Sequence, residues 1–323
     1  MKEYEFNPKP KSLTPFYLIA QFFFILFNSF GTKVFICMFG GYHTYFPSVL
    51  AKLFGKKCLI IVGGTDCVSF PSLEYGNFKG GMLAKFTKWS YKHCTMILPV
   101  HKNLMGYDYS YSDSDFKQQG IKFFIPNLKT PFEEINYGYD SEKWIAPKTR
   151  IKNSFITVAA GLQNPYRAQL KGIDLILEIA SLFPEATFTI IGCPDDYKLP
   201  VKSNNIKTYS FVTNEKLKEF YNAHEFYIQA SMSEGFPNAI CEAMLCGCIP
   251  IGSAVGGIQD IIGDAGFILH KRNAEQFKKI ISDALNCDKQ KYSEKASNRI
   301  KEKYPKDLRK EKLLALLKGK TSR

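Results

Sequence analysis

Two carboxylates eight positions apart, Glu234 and Glu242, flank a Gly-aromatic-Pro turn in the run Ser233-Glu234-Gly235-Phe236-Pro237-Asn238-Ala239-Ile240-Cys241-Glu242-Ala243-Met244. Pro237 suits a first helical position and Gly247 a helix stop, so the spacing predicts a helix between them. Glu234 then lies in the loop before the helix and Glu242 two turns into it. The first turn of a helix has unpaired N–H groups and a partial positive charge, so Gly235 to Asn238 can hold an anion such as phosphate. A loop carboxylate beside that anion can take sugar hydroxyls, and a second one deeper on the helix can take a ribose. The arrangement suits a nucleotide sugar. The bland alternative is a cap residue and a solvated helix face, and it explains each glutamate singly better than it explains the whole run.

The elements around this run are those that would position it. Cys248 to Ile251 reads as a strand, followed by a Gly252-Ser253-Ala254-Val255-Gly256-Gly257 turn and an apolar helix from Ile258. Such a turn lets backbone approach a pyrophosphate. Upstream, strands are expected at 155–160, 187–191, 205–209 and 226–229, and helices at 173–181 and 214–223 with Asn214 as cap. Nearer the start, strands at 34–39 and 58–62 end in Gly40-Gly41-Tyr42-His43 and Gly63-Gly64-Thr65-Asp66, with a helix at 47–54 between them. Strands alternating with helices imply α/β architecture with a parallel, doubly wound sheet, whose ligands lie beyond the carboxyl ends of the strands.

Residues 234–262, EGFPNAICEAMLCGCIPIGSAVGGIQDII, resemble the donor-site signature of retaining glycosyltransferases of family 4 (group 1). Lys171-Gly172-Ile173-Asp174 resembles the Lys-Gly element of that family, and Gly138 to Trp144 its Gly-Val-Asp-x-x-x-Phe element. The resemblance covers about 134–300 well and the earlier chain loosely. It implies the GT-B fold, two Rossmann-like domains facing across a cleft, here with a shortened N-terminal domain. The expected division is 1–146 for the acceptor side, 147–300 for the donor side and 301–323 as a basic helix or tail, with the linker near 140–152 around Pro147. The implied reaction moves a sugar from a nucleotide-diphosphate sugar, with retention, to a saccharide or lipid-linked saccharide acceptor.

The resemblance also assigns roles. Lys171 and Glu234 are the catalytic pair, with Lys171 neutralising the leaving diphosphate and Glu234 positioning the sugar. Arg167, Gly235, Phe236, Pro237, Asn238 and Glu242 complete the donor side. Gly40, Gly41, His43 and Asp66 are the acceptor-side candidates. No metal and no cofactor are expected, because fixed cations and helix dipoles do the work of a magnesium ion. Three departures stand out. Gly63 occupies the place of the family's histidine in the loop that Gly63-Gly64-Thr65-Asp66 resembles, leaving His43 and His93 as substitutes. Leu162 occupies the place of an arginine after Gly161, with Arg167 the nearest replacement across an insertion at 163–170. The opening strand of the N-terminal domain is missing or replaced by a Phe-rich segment. These departures keep two other readings open: a catalytically inactive sugar-nucleotide-binding partner protein, and a GT-B epimerase. No lysine-anchored pyridoxal signature is recognisable, which argues against a phosphorylase.

Composition bounds the rest. The 323 residues suffice for two α/β domains, and 45% apolar with 23% charged residues is a globular composition. Nine scattered cysteines without paired CxxC spacing predict reduced, buried thiols in a cytoplasmic protein. No small-residue cleavage site follows the first apolar run, so no signal peptide is expected. Net charge is +13, and residues 271–323 hold 17 Lys/Arg against 7 Asp/Glu. Leucines at 308, 313, 314, 316 and 317 make a solvated amphipathic helix there one reading; an anionic membrane is the other, preferred over nucleic acid. Residues 12–32 carry no charge, and Pro15 and Gly31 bracket a core of Phe16 to Phe30 that is short for a span and suits a buried or interfacial helix. Peripheral attachment at the cytoplasmic face follows as an expectation.

Overall fold

The β-branched and aromatic runs between glycine-rich turns form strands, and the amphipathic runs between them cover the strands as helices. The structure is a computed structural model that describes residues 2–113, 116–144, 149–194 and 203–318. It divides into two compact units, residues 1–108, 115–136 and 313–323 in one and 109–114 with 137–312 in the other. The expected boundary at 146/147 lies outside the described residues, as do residues 319–323 of the expected tail.

The first unit contains α1 (Thr14–Asn28), β1 (Val34–Met38), α2 (Tyr45–Leu53), β2 (Lys57–Val62), α3 (Gly81–His93), β3 (Met96–Pro99), β4 (Tyr107–Asp108), β5 (Gln118–Gln119) and α4 (Ile121–Phe124). Its main sheet is parallel, in the order β1-β2-β3. The central strand β2 is buried from Cys58 to Val62, as a strand covered on both faces must be. A helix, α1, occupies the place of the Phe-rich segment, ahead of the first strand.

The second unit contains β6 (Ile151–Val158), α5 (Pro165–Leu170), α6 (Ile173–Ala180), β7 (Thr187–Ile191), β8 (Ile206–Tyr209), α7 (Asn214–Ala223), β9 (His224–Gln229), α8 (Asn238–Leu245), β10 (Ile249–Ser253), α9 (Ile258–Ile262), β11 (Phe267–Leu269), α10 (Ala274–Leu285) and α11 (Lys289–Lys303). Helix α12 (Lys306–Leu317) carries the division between the units at 312/313. All six strands are parallel, in the order β11-β10-β9-β6-β7-β8. Chain order runs outward from β6 in one direction and from β9 in the other. The reversal between β6 and β9 is the topological switch point at which doubly wound sheets bind ligands. At its centre the Phe155 ring stacks on Phe188 at 4.8 Å and on Phe226 at 4.7 Å.

Several local expectations are corrected. Thr213, not Asn214, caps α7: its backbone is extended and its hydroxyl accepts from Lys216 N–H at 3.4 Å. Pro237 has φ −70° and ψ 122°, so it is the cap of α8 and Asn238 its first residue. Glu242 therefore stands one turn into α8, not two. The strongly basic end forms helices α10, α11 and α12 through Leu317, the helix of the expected helix or tail. Among the described residues no helix is long and apolar enough to cross a membrane. All nine cysteines are free thiols and eight are buried.

Candidate active site

Glu234 follows the end of β9, and Lys171 follows β6 by way of α5, so both flank the switch point. Lys171 Nζ meets Glu234 Oε1 at 2.5 Å. Two glycines make this possible. Gly172 has φ +70°, and a methyl there would stand 2.2 Å from the Ala230 carbonyl oxygen. Only glycine lets the Lys171 loop lie so close to the end of β9. Met232 N–H donates to Leu170 O at 2.8 Å and fastens the two loops together. Gly256 has φ +53°, and a methyl there would be 1.8 Å from Glu234 O. Gly257 N–H donates to Gly235 O at 2.8 Å, so the glycine loop after β10 holds the backbone of the glutamate loop.

Glu234 is held by more than its lysine. Gln229 Nε2 donates to Oε1 at 3.1 Å and Ser231 Oγ at 3.0 Å. Gln229 Nε2 also donates to Ser231 Oγ at 2.8 Å, and the Tyr227 hydroxyl donates to Gln229 Oε1 at 2.9 Å. Gln229 and Ser231 are buried, and Tyr227 wholly so. Lys171, Gln229 and Ser231 all donate to Oε1, which leaves Oε2 for a ligand. Tyr227, Gln229 and Ser231 read in the sequence as alternate residues of a strand and its end. Their polarity at buried positions was the available signal.

The remaining donor-side candidates are less uniform. Leu162 is 1% exposed and belongs to the core, so nothing polar comes from that position. A methyl on Gly161 would lie 3.9 Å from Arg167 Cγ, so the insertion does bring Arg167 back beside the strand-end glycine. Phe236 is buried, edge-on to Tyr304 at 5.0 Å and to Tyr137 at 6.1 Å. Gly235 and Pro237 are buried and Asn238 is exposed, with its Oδ1 accepting from the Tyr139 hydroxyl at 2.7 Å. Burial pushes the Glu242 carboxyl above its ordinary value. Segment 109–114 also joins this unit: the Tyr109 hydroxyl donates to Met232 O at 3.0 Å and the Tyr111 hydroxyl to Ala230 O at 3.4 Å. Arg272 pairs with Asp174 at the start of α6.

In the first unit the acceptor-side candidates gather around Asp66, which is 2% exposed. Its carboxylate accepts from Gly40 N–H at 2.7 Å, Gly63 N–H at 3.1 Å, Gly64 N–H at 3.0 Å and the Tyr91 hydroxyl at 2.8 Å. Asp66 thus ties the two Gly-Gly turns together from beneath. A methyl on Gly40 would be 2.1 Å from the Tyr91 hydroxyl oxygen, and one on Gly41 3.2 Å from His43 Nδ1. His43 Nε2 lies 2.9 Å from Met38 O. His93 stacks on Trp89 at 4.0 Å and bonds Trp89 O, a structural placement. Among the described residues no three His, Cys, Asp or Glu side chains gather as a metal set.

Two α/β units with parallel sheets are the GT-B fold, and solved structures agree. Sucrose-phosphate synthase from Thermosynechococcus elongatus superposes with a TM-score of 0.72 at 13% identity, over 97% of this chain and 80% of that one. HepE from Anabaena, solved with UDP and glucose, gives 0.66 at 13% identity over 95% and 83%. Within that fold, residues 162–304 match the family model described as glycosyl transferases group 1. Among curated proteins, a phosphatidylinositol N-acetylglucosaminyltransferase polypeptide of Arabidopsis thaliana is 22% identical over 193 residues, 56% of this chain. The chain spans 40% of the length of that relative.

Proposed function

We propose that the chain is a retaining glycosyltransferase of family 4 that moves a sugar from a nucleotide-diphosphate sugar to a saccharide or lipid-linked saccharide acceptor. The observation that carries this reading is the Lys171–Glu234 pair at the switch point, ahead of the first turn of α8. The Lys171 ammonium and Arg167 take the charge that builds on the diphosphate as the anomeric C–O bond breaks. Backbone N–H groups at Gly235 to Asn238 add donors. Glu234, fixed through Oε1, takes sugar hydroxyls through Oε2, and Glu242 takes the ribose. The acceptor oxygen forms the new C–O bond and its proton leaves with the diphosphate. Glu242 being committed to ribose, no second carboxylate is assigned as a nucleophile across the sugar. Metal and cofactor are not required in this scheme. Asp66 serves the acceptor side by shaping the Gly40-Gly41 and Gly63-Gly64 turns, beside His43. The protein works in the cytoplasm, peripheral to an anionic membrane, on polysaccharide or glycolipid synthesis.

The burial of Leu162, where the family carries an arginine, favours the inactive-partner reading as the second choice. One experiment separates them. Purified protein is screened for thermal stabilisation by a panel of nucleotide sugars, and the stabilising one is assayed for hydrolysis and transfer. Stabilisation with transfer supports the proposal. Stabilisation without hydrolysis or transfer gives the inactive partner, and no stabilisation by any of them removes the donor site.

A further inference from the structure

Residues 6–65 contain no Asp and no Glu, and six lysines at 9, 11, 33, 52, 56 and 57. Helix α1 lies inside this stretch and is itself uncharged. One face of it is fastened to the unit. Gln21 and Ile25 are buried, Gln21 Nε2 donates to His43 O at 2.9 Å, and the Phe22 ring meets Phe46 edge-on at 5.3 Å. The other face carries Phe16, Ile19, Phe23 and Phe27 at helical spacing, with Phe30 just beyond. They are 68%, 56%, 48%, 74% and 95% exposed in the whole chain. Residues three and four apart form one stripe. A contiguous row of large apolar side chains on a surface marks an interaction site. Lys9, Lys11 and Lys33, which flank α1 in the chain, and Lys52 at the end of α2, which packs against α1, are exposed.

We propose that this face of α1 docks on the surface of an anionic lipid bilayer. The proposal sharpens the peripheral-membrane reading above by naming the face, and it holds whether or not the chain transfers sugar. A helix of 15 residues is about 22 Å long, and its inner face is packed, so it lies in the interface and does not span. Phenylalanines enter the acyl boundary while lysines meet phosphate headgroups. The charge argues for lipid over a second copy of the chain. Residues 1–65 hold seven lysines against Glu3 and Glu5 before Asp66, so a two-fold contact through this face would bring like lysines together with few carboxylates to answer them. It also makes the face sufficient without the basic helices α10 and α11.

Co-sedimentation with phosphatidylcholine vesicles, with and without phosphatidylglycerol, tests the proposal. Expected is binding that needs phosphatidylglycerol and falls with added salt. The triple variant Phe16→Ser, Phe23→Ser, Phe27→Ser should lower binding by at least about tenfold, since one acyl-depth contact is lost at each site. Unchanged thermal unfolding would show that it folds. Lys33→Glu with Lys52→Glu, which keeps the apolar face, should weaken binding as well. Lys278→Glu with Lys301→Glu, in α10 and α11, should leave it within about twofold. No vesicle binding at low salt, or binding abolished only by the α10 and α11 pair, overturns the assignment. So does a wild-type dimer that the phenylalanine variant dissociates. Nucleotide-sugar stabilisation, measured without lipid, is independent of all these outcomes.

Discussion

A lysine that already pairs with a carboxylate can surrender that partner to a diphosphate only if the carboxylate is held some other way. Gln229 and Ser231 supply that hold, and this makes Lys171→Ala informative. Glu234 should stay in place through its two remaining donors while the charge facing the leaving group is lost. Loss of one such stabilising contact costs roughly 2.7–4 kcal/mol, so turnover should fall by about 10²–10³ with stability little changed. Glu234→Gln should do likewise. Near-wild-type turnover in Lys171→Ala, measured in the transfer assay, would sink the site. Glu242 has the opposite balance. Burial raises its pKa above 4.5, so the folded state binds the proton more tightly than the unfolded state. Its contribution to stability therefore declines as pH rises through the folded value. Glu242→Gln should match wild type in melting temperature near pH 4 and exceed it at neutral pH, while weakening nucleotide-sugar binding. A variant less stable than wild type at neutral pH would contradict that.

At the scale of elements, the site depends on loops that interlock through glycine. Gly172→Ala forces a side chain into a φ of +70° and against the Ala230 carbonyl. The backbone term alone is about 1 kcal/mol, and the collision must push the Lys171 loop off β9. The expected outcome is lower stability together with loss of transfer, whereas Gly31→Ala, in open space, should change neither. Unfolding curves and turnover of the two variants decide it. The elements themselves were largely legible. Apolar runs closed by glycine gave β7 to the residue and α6 nearly so, because buried parallel strands and amphipathic helices write distinct periods into the chain. Helix starts were less legible, as Thr213 and Pro237 show, since a cap and a first helical residue differ by one position and by a backbone angle. The resemblance put Lys171 and Glu234 in one donor site, but neither their contact nor its supports were expected. Gln229 and Ser231 looked like strand positions. The attachment of Tyr109 and Tyr111 runs through carbonyl oxygens more than a hundred residues away, which no local pattern records.

At the scale of the molecule, a net charge of +13 would draw the proposed anionic donor in at long range, complementing the contact role proposed for Lys171. In the proposed chemistry fixed cations meet the diphosphate, and transfer should then persist in EDTA. Complete loss on chelation, restored by Mg²⁺ or Mn²⁺, would count decisively against the proposed chemistry. The apparent association rate for the donor should fall with ionic strength, because the long-range term is screened within roughly 8–10 Å near physiological salt.

The strand order has a consequence in time. β6 pairs with β7, its neighbour in the chain, but also with β9, and Phe155 faces Phe226 across that pair. Everything from α5 to α7 lies between them as a loop that must close before the pair can form. Closing a long loop precedes any reward from the contacts it makes, so distant parallel pairings are slow steps of folding. Lys171 and Glu234 sit on opposite sides of that closure. A refolding chain should regain most of its helical signal before it can quench or protect a bound fluorescent nucleotide, and the lag between the two signals would time the meeting of β6 and β9. Until that moment the chain has secondary structure and no site.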